Sequence, residues 1–87
     1  MTVTRHSNFK KSYKKRILPH KNLKSRFEER LKLFLTHPTN SELKDHKLIG
    51  SLSGLRSFSV TEDIRVIYRK VENTIELYDV GSHNQVY

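Results

Sequence analysis

The chain has 87 residues, a formal net charge of +8, a pI near 10.0 and no cysteine. That length supports one small core and no second domain, so residues 1–87 are read as a single unit. The absence of cysteine excludes a disulfide framework and thiolate metal sites, and no apolar run approaches the roughly 20 residues of a membrane span.

The polar start Met1 to Ser7 does not read as a signal peptide, so the expected location is cytoplasmic. Charge is divided unevenly. Residues 1–37 hold eleven Lys/Arg against two acids, a balance of +9, while residues 38–87 hold six against seven, a balance of −1. A basic half of this kind attracts phosphate backbones, and an RNA or an acidic protein partner is expected to lie on it.

Met1 to Arg5 alternates around Val3 and predicts a short strand. A helix is predicted from about Ser7, with Ser7 or Asn8 as its cap and Phe9, Tyr13 and Ile17 at helical spacing. Lys10, Lys11, Lys14, Lys15 and Arg16 fill its other faces and are the candidate surface for an RNA or an acidic partner; Pro19 closes the helix at or before Leu18. A second helix, from Lys21 or Asn22 to Thr36, carries the apolar stripe Leu23, Phe27, Leu31, Phe34 and Leu35 and stops at His37-Pro38. Glu28 stands four residues before Lys32 as a supporting pair.

Thr39-Asn40-Ser41 reads as a turn, Leu43 to Leu48 as a strand carrying His46, and Gly50 to Gly54 as a loop. Strands Leu55 to Thr61, Ile64 to Lys70 and Thr74 to Val80 follow, with Phe58/Val60, Val66/Tyr68 and Ile75/Leu77 two apart as a pleated surface requires. The charged corner Thr61-Glu62-Asp63 and the turn Glu72-Asn73 separate them; Gly81 is expected to end the last strand, leaving Ser82 to Tyr87 as a tail. The order implies an α+β fold, an N-terminal strand and a two-helix hairpin packed on a small antiparallel sheet.

Five histidines occur without a His-x-x-x-His pair, a thiol or a carboxylate cluster, so no metal or other cofactor is expected. A phosphate-binding Gly-x-x-x-x-Gly-Lys loop and a Gly-x-Ser-x-Gly nucleophile turn are also absent. RNA cleavage needs none of these. The 2′-hydroxyl beside the scissile phosphate can attack it, so a protein has only to supply a base, an acid and a cation for the phosphate. Histidine titrates near neutrality, and the planar donors of arginine match two phosphate oxygens. An aromatic ring can stack an unpaired base. His46, His83, Asp63, Arg65, Arg56 and Tyr87 supply these types, although plain surface histidines and a turn aspartate would look the same at this level.

The ordered pattern Asp45-His46-x-Leu48-x-Gly50, Gly54-Leu55-Arg56, Asp63-x-x-x-Ile67-Tyr68 and Gly81-x-His83, with Tyr87 four residues on, resembles the RelE/ParE superfamily of bacterial toxins and within it the YafQ branch. The resemblance covers essentially the whole chain. It implies the toxin of a type II toxin–antitoxin pair, a ribosome-dependent mRNA interferase that cuts the A-site codon without a metal. His46, Asp63, His83 and Tyr87 match the branch's catalytic pattern, and Arg65 matches an arginine of the RelE branch. In that scheme one of His46 and His83 takes the 2′-proton and the other protonates the 5′-oxygen. Arg65, aided by Arg56, holds the phosphate, Asp63 orients an imidazole and Tyr87 stacks on the base. Ser59 departs from the pattern, standing where a further histidine is common. A cognate antitoxin, the ribosome and mRNA are the implied partners. The alternatives are a ParE-like DNA gyrase inhibitor, which has no use for the histidines, and an RNA-binding toxin homologue weakened by Ser59.

Overall fold

In the computed structural model, which describes residues 1–87, β1 (Thr2–Arg5) leads into the helices α1 (Ser7–Arg16) and α2 (Lys21–Thr36). These are followed by β2 (His46–Lys47), β3 (Arg56–Ser59), β4 (Ile64–Val71), β5 (Thr74–Ser82) and a closing helical turn, α3 (His83–Val86). The five strands make one sheet in the order β1-β5-β4-β3-β2, parallel where β1 joins β5 and antiparallel elsewhere. This is the α+β architecture expected from the chain order.

Helical and strand periodicity converge on one face of the sheet. Phe9 of α1, Ile17 just beyond its end, and Phe27 and Phe34 of α2 share a buried cluster with Phe58, Val66, Tyr68, Ile75, Leu77 and Val80. The Phe34 ring stacks on Phe58 at 4.5 Å and meets Tyr68 edge-on at 4.7 Å. Truncating a phenylalanine buried in this way costs about 3–5 kcal/mol. Strict alternation along β5 would put Asp79 beside Leu77 on this face. A bulge prevents that: Ile67 pairs with Asp79 but Tyr68 with Leu77, so Tyr78 is the extra residue and Val80 returns to the core.

Beyond the end of β1 the edge of β5 is covered by α1, whose Asn8 and Arg16 side chains donate to the carbonyls of Tyr78 and Val80 at 3.4 and 3.0 Å. Satisfying these groups removes a template for unwanted strand pairing. Gly81 is required by the same close approach, since a Cβ there would fall 2.7 Å from both Arg16 Nη1 and Gln85 Oε1.

Four local expectations are corrected. The cap of α1 is His6, whose Nδ1 accepts from the Asn8 amide at 3.1 Å, in place of Ser7 or Asn8. Glu28 pairs with Lys24 at 2.9 Å, and not with Lys32. The strand read over Leu43 to Leu48 shrinks to His46–Lys47, because a 3₁₀ turn at Ser41–Leu43 ends in Lys44 at φ 47°, ψ 41°, a left-handed conformation that no strand accommodates. Gly81 does not end β5, which runs to Ser82 before the chain turns into α3. No helix is long and apolar enough to cross a membrane.

Candidate active site

Alternation along β3 and β4 determines which polar residues meet. Phe58, Val66 and Tyr68 face the aromatic core, so Ser57, Ser59 and Arg65 share the opposite face, with Arg65 paired to Ser59 on one side and to Gly81 on the other. Arg65 is only 9% exposed. Its Nε donates to Ser57 Oγ, and its Nη2 donates to the carbonyls of Ser57 and Lys44 at 3.1 and 2.9 Å. Every acceptor is neutral. The ion pairs are Arg16–Asp79, Lys24–Glu28, Arg56–Asp45 and Arg69–Glu76, and none of them includes Arg65.

A cation taken out of water without a counter-charge is costly, by several kcal/mol before hydrogen bonding offsets it. The remaining nitrogen, Nη1, has no partner in the protein, and no side-chain nitrogen or oxygen sealed from solvent lacks one. Nη1 is therefore the atom that the guanidinium presents outward.

The Lys44 carbonyl receives a second donor. His46 Nδ1 lies 3.0 Å from it and 3.4 Å from Arg65 Nη2. Arginine can only donate, so the shorter contact assigns the imidazole proton to Nδ1 and leaves the lone pair on Nε2. Both donors reach one oxygen because the left-handed Lys44 turns its carbonyl toward them.

The third part of the site comes from α3. Gln85 Oε1 accepts from the Ser82 amide at 2.8 Å and the Tyr87 amide donates to the His83 carbonyl at 3.0 Å, closing one helical turn. That turn brings the His83 and Tyr87 rings edge to face at 4.4 Å. It also aims the Tyr87 hydroxyl at Ser57 Oγ, to which it donates at 2.6 Å. His46, His83 and Tyr87, with Lys47, Leu48, Ile49, Ser51 and Leu52, line an open cleft of about 460 Å³.

Of the residues singled out from the sequence, His46, Arg65, His83 and Tyr87 thus lie together. Asp63 does not join them. It sits exposed at the β3–β4 corner, its amide held by Thr61 Oγ1 at 3.2 Å and its carboxylate without a hydrogen bond or ion pair. The group that orients an imidazole is the Lys44 carbonyl. Arg56 is also displaced from its expected role beside Arg65, because one step along a strand reverses the face. Its Nε donates to Tyr68 Oη at 3.2 Å and Asp45 Oδ1 at 3.3 Å on the helix side.

Arg16 is occupied by Val80 and Asp79, whereas Lys10, Lys11, Lys14 and Lys15 stand exposed on α1. Behind the site, the Tyr68 hydroxyl donates to Asp45, with the two carboxylate oxygens at 2.8 and 2.7 Å. Burial, reinforced by the bond to Asp45, pushes the Tyr68 phenol well above the ordinary tyrosine range. The bond to Tyr68 and the charge of Asp45 raise Arg56 in turn.

Two members of the site, Ser57 and Lys44, were not singled out from the sequence. Ser57 is fully buried and its Oγ joins Arg65 to Tyr87. Its position two residues before Ser59 on the non-aromatic face of β3 was a usable signal. Lys44 acts through its carbonyl, which side-chain type does not reveal. Ser59, the departure from the family pattern, is buried and donates to the Thr61 carbonyl at 2.6 Å. No three His, Asp or Glu side chains are grouped to hold a metal ion.

The family described as "Bacterial toxin of type II toxin-antitoxin system, YafQ" matches residues 1–87. Among solved structures, YafQ from E. coli strain BL21(DE3) is 23% identical, with 98% of this chain and 96% of that chain covered and a TM-score of 0.84. YafQ in the E. coli DinJ–YafQ complex is 24% identical over 98% and 96%, with a TM-score of 0.82. A metal-bound toxin from Helicobacter pylori is 27% identical over 100% and 99%, with a TM-score of 0.78. No curated protein matches the chain significantly. With the whole chain matched and the fold shared, this protein belongs to the YafQ family of type II toxin–antitoxin toxins.

Proposed function

We propose that this toxin is an mRNA interferase, an endoribonuclease acting on mRNA in the ribosomal A site by attack of the RNA's own 2′-hydroxyl. The observation that carries the reading is Arg65, a nearly buried cation with no carboxylate partner and one nitrogen left for an outside anion, placed beside His46 and Tyr87. A backbone phosphate fits that nitrogen, and its charge replaces the counter-ion that the protein withholds.

His46 then takes the 2′-proton on Nε2 while the 2′-oxygen bonds to phosphorus. The bond from phosphorus to the 5′-oxygen breaks, and protonated His83 gives its proton to that oxygen. Arg65 stabilises the charge of the five-coordinate phosphate, and Tyr87, 41% exposed, stacks on the base. The products are a 2′,3′-cyclic phosphate and a free 5′-hydroxyl. Because the nucleophile belongs to the substrate, the reaction requires no metal. Asp63 has no place in this scheme until the ribosome is bound, when its exposed carboxylate can meet an incoming group.

The exposed lysines of α1 supply sequence-independent attachment to ribosomal RNA. E. coli YafQ forms a complex with DinJ; by the same token a cognate antitoxin binds this chain, and an acidic one is complementary in charge to the exposed lysines of α1.

The test is mRNA cleavage in a purified translation system, with and without ribosomes, comparing the chain with His83→Ala and Arg65→Ala. Ribosome-dependent cuts that carry cyclic phosphate ends and disappear in both variants are expected. Absence of cleavage by the unaltered chain, with inhibition of gyrase in a supercoiling assay, would overturn the reading.

A further inference from the structure

His46 and Arg65 share one acceptor, the carbonyl of Lys44, and that oxygen is aimed by a backbone conformation that a lysine adopts only when its surroundings impose it. Strand β2 cannot impose it alone, since it contributes two residues to the sheet, His46 opposite Ser57 and Lys47 opposite Arg56.

On the preceding side the chain is pinned by Leu43, which is fully buried, and by Arg30, whose Nη1 donates to the Glu42 carbonyl at 2.9 Å. On the following side the only grip before β2 is the carboxylate of Asp45. It accepts from the Tyr68 hydroxyl at 2.7 to 2.8 Å and from Arg56 Nε at 3.3 Å, behind the sheet and away from the cleft. Tyr68 is itself set in the aromatic core against Phe34 and Phe58. The tripeptide Lys44-Asp45-His46 therefore joins a rigid core on one face to the polar site on the other.

We propose that Asp45 is a positioning residue: clamped by Tyr68 and Arg56, it holds Lys44 left-handed, so that one carbonyl orients both the His46 imidazole and the Arg65 guanidinium. The kinetic consequence rests on the ribonuclease reading; the structural consequence does not. Releasing Asp45 lets Lys44 relax into the extended region, turns its carbonyl away and frees the Nδ1 proton of His46. It also misplaces Arg65, and misplacement of this kind costs up to about 100-fold in rate.

The experiment uses the full chain and follows the His46 ring by long-range ¹⁵N–¹H correlation, above the pH at which the imidazole loses its charge, alongside cleavage kinetics. In the unaltered chain, neutral His46 should show a single Nδ1–H tautomer. Asp45→Ala should show a tautomer mixture and a kcat loss of tenfold or more, with a smaller change in KM. Asp45→Asn, which keeps an acceptor for Tyr68 and Arg56, should restore the single tautomer and most of the rate. Tyr68→Phe removes one clamp without truncating Asp45, and should show a partial mixture even if Asp45→Ala does not fold. A folded Asp45→Ala chain with an unchanged Nδ1–H tautomer overturns the proposal, as does an unchanged tautomer in Tyr68→Phe should Asp45→Ala fail to fold. If the unaltered chain cleaves no RNA, the ribonuclease reading fails while the tautomer comparison still decides the role of Asp45.

Discussion

Ser57 and Tyr87 are thirty residues apart in the chain and share a 2.6 Å hydrogen bond that ties α3 to the middle of the sheet. The same Ser57 oxygen accepts from Arg65, so the Tyr87 ring and the Arg65 guanidinium are referenced to one atom. Tyr87→Phe keeps the ring and loses the tether. Its expected stability cost is about 1 kcal/mol, the usual net worth of such a bond, read by urea denaturation. Tyr87→Ala loses the ring as well and should raise KM by about 5- to 150-fold, the equivalent of the ~1–3 kcal/mol that stacking of a base contributes.

Arg65→Met separates function from stability. Removing one partner of a buried ion pair costs about 3–5 kcal/mol because it strands the other charge. Here no carboxylate is left behind, only neutral oxygens of Ser57 and Lys44. The stability change should therefore fall well below that range, while cleavage should fall by at least about 100-fold, as it does when a transition-state donor is removed. Paired denaturation and single-turnover measurements check both halves.

The raised phenol of Tyr68 predicts the alkaline behaviour of the fold. Unfolded tyrosine titrates near pH 10, whereas the folded Tyr68 keeps its proton above that point. The folded state binds more protons in this window, so stability from this group is fully present below about pH 10. It declines as the pH rises further, by at most about 1.4 kcal/mol per pH unit. Tyr68→Phe lacks this dependence, and its stability deficit relative to the unaltered chain should shrink between pH 9 and pH 11 in parallel denaturation curves.

Lys14 and Lys15 are exposed on α1, while the neighbouring Arg16 is occupied by Val80 and Asp79. Changing both lysines to Glu should weaken ribosome binding and flatten its salt dependence while leaving the cleavage sites unchanged. Arg16→Ala should instead lower the melting temperature, because it uncovers the edge of β5. Sedimentation with ribosomes over a salt series, together with a thermal melt, distinguishes the two effects.

Residue order alone was enough to read both long helices and the last three strands, because each rests on local physics; His46, Arg65, His83 and Tyr87 were singled out by side-chain type and by resemblance, and the fold places them near one another. Pro19 and Pro38 mark the helix ends, Phe27, Leu31 and Phe34 recur at helical spacing, and Val66 and Tyr68 alternate. The capping pattern Ser82-x-x-Gln85 was also present and announces α3, although it is short enough to pass for a tail. Tertiary structure decided what no local pattern encodes. A one-residue step along β3 sends Arg56 behind the sheet and Ser57 into the site, and a bulge in β5 sets which side of it reaches the core. The left-handed Lys44 makes a backbone oxygen the hub for His46 and Arg65. Asp63 carries a suitable side chain yet is left at an exposed corner, because the identity of a residue states what it can do, and only the register of the sheet states what it can touch.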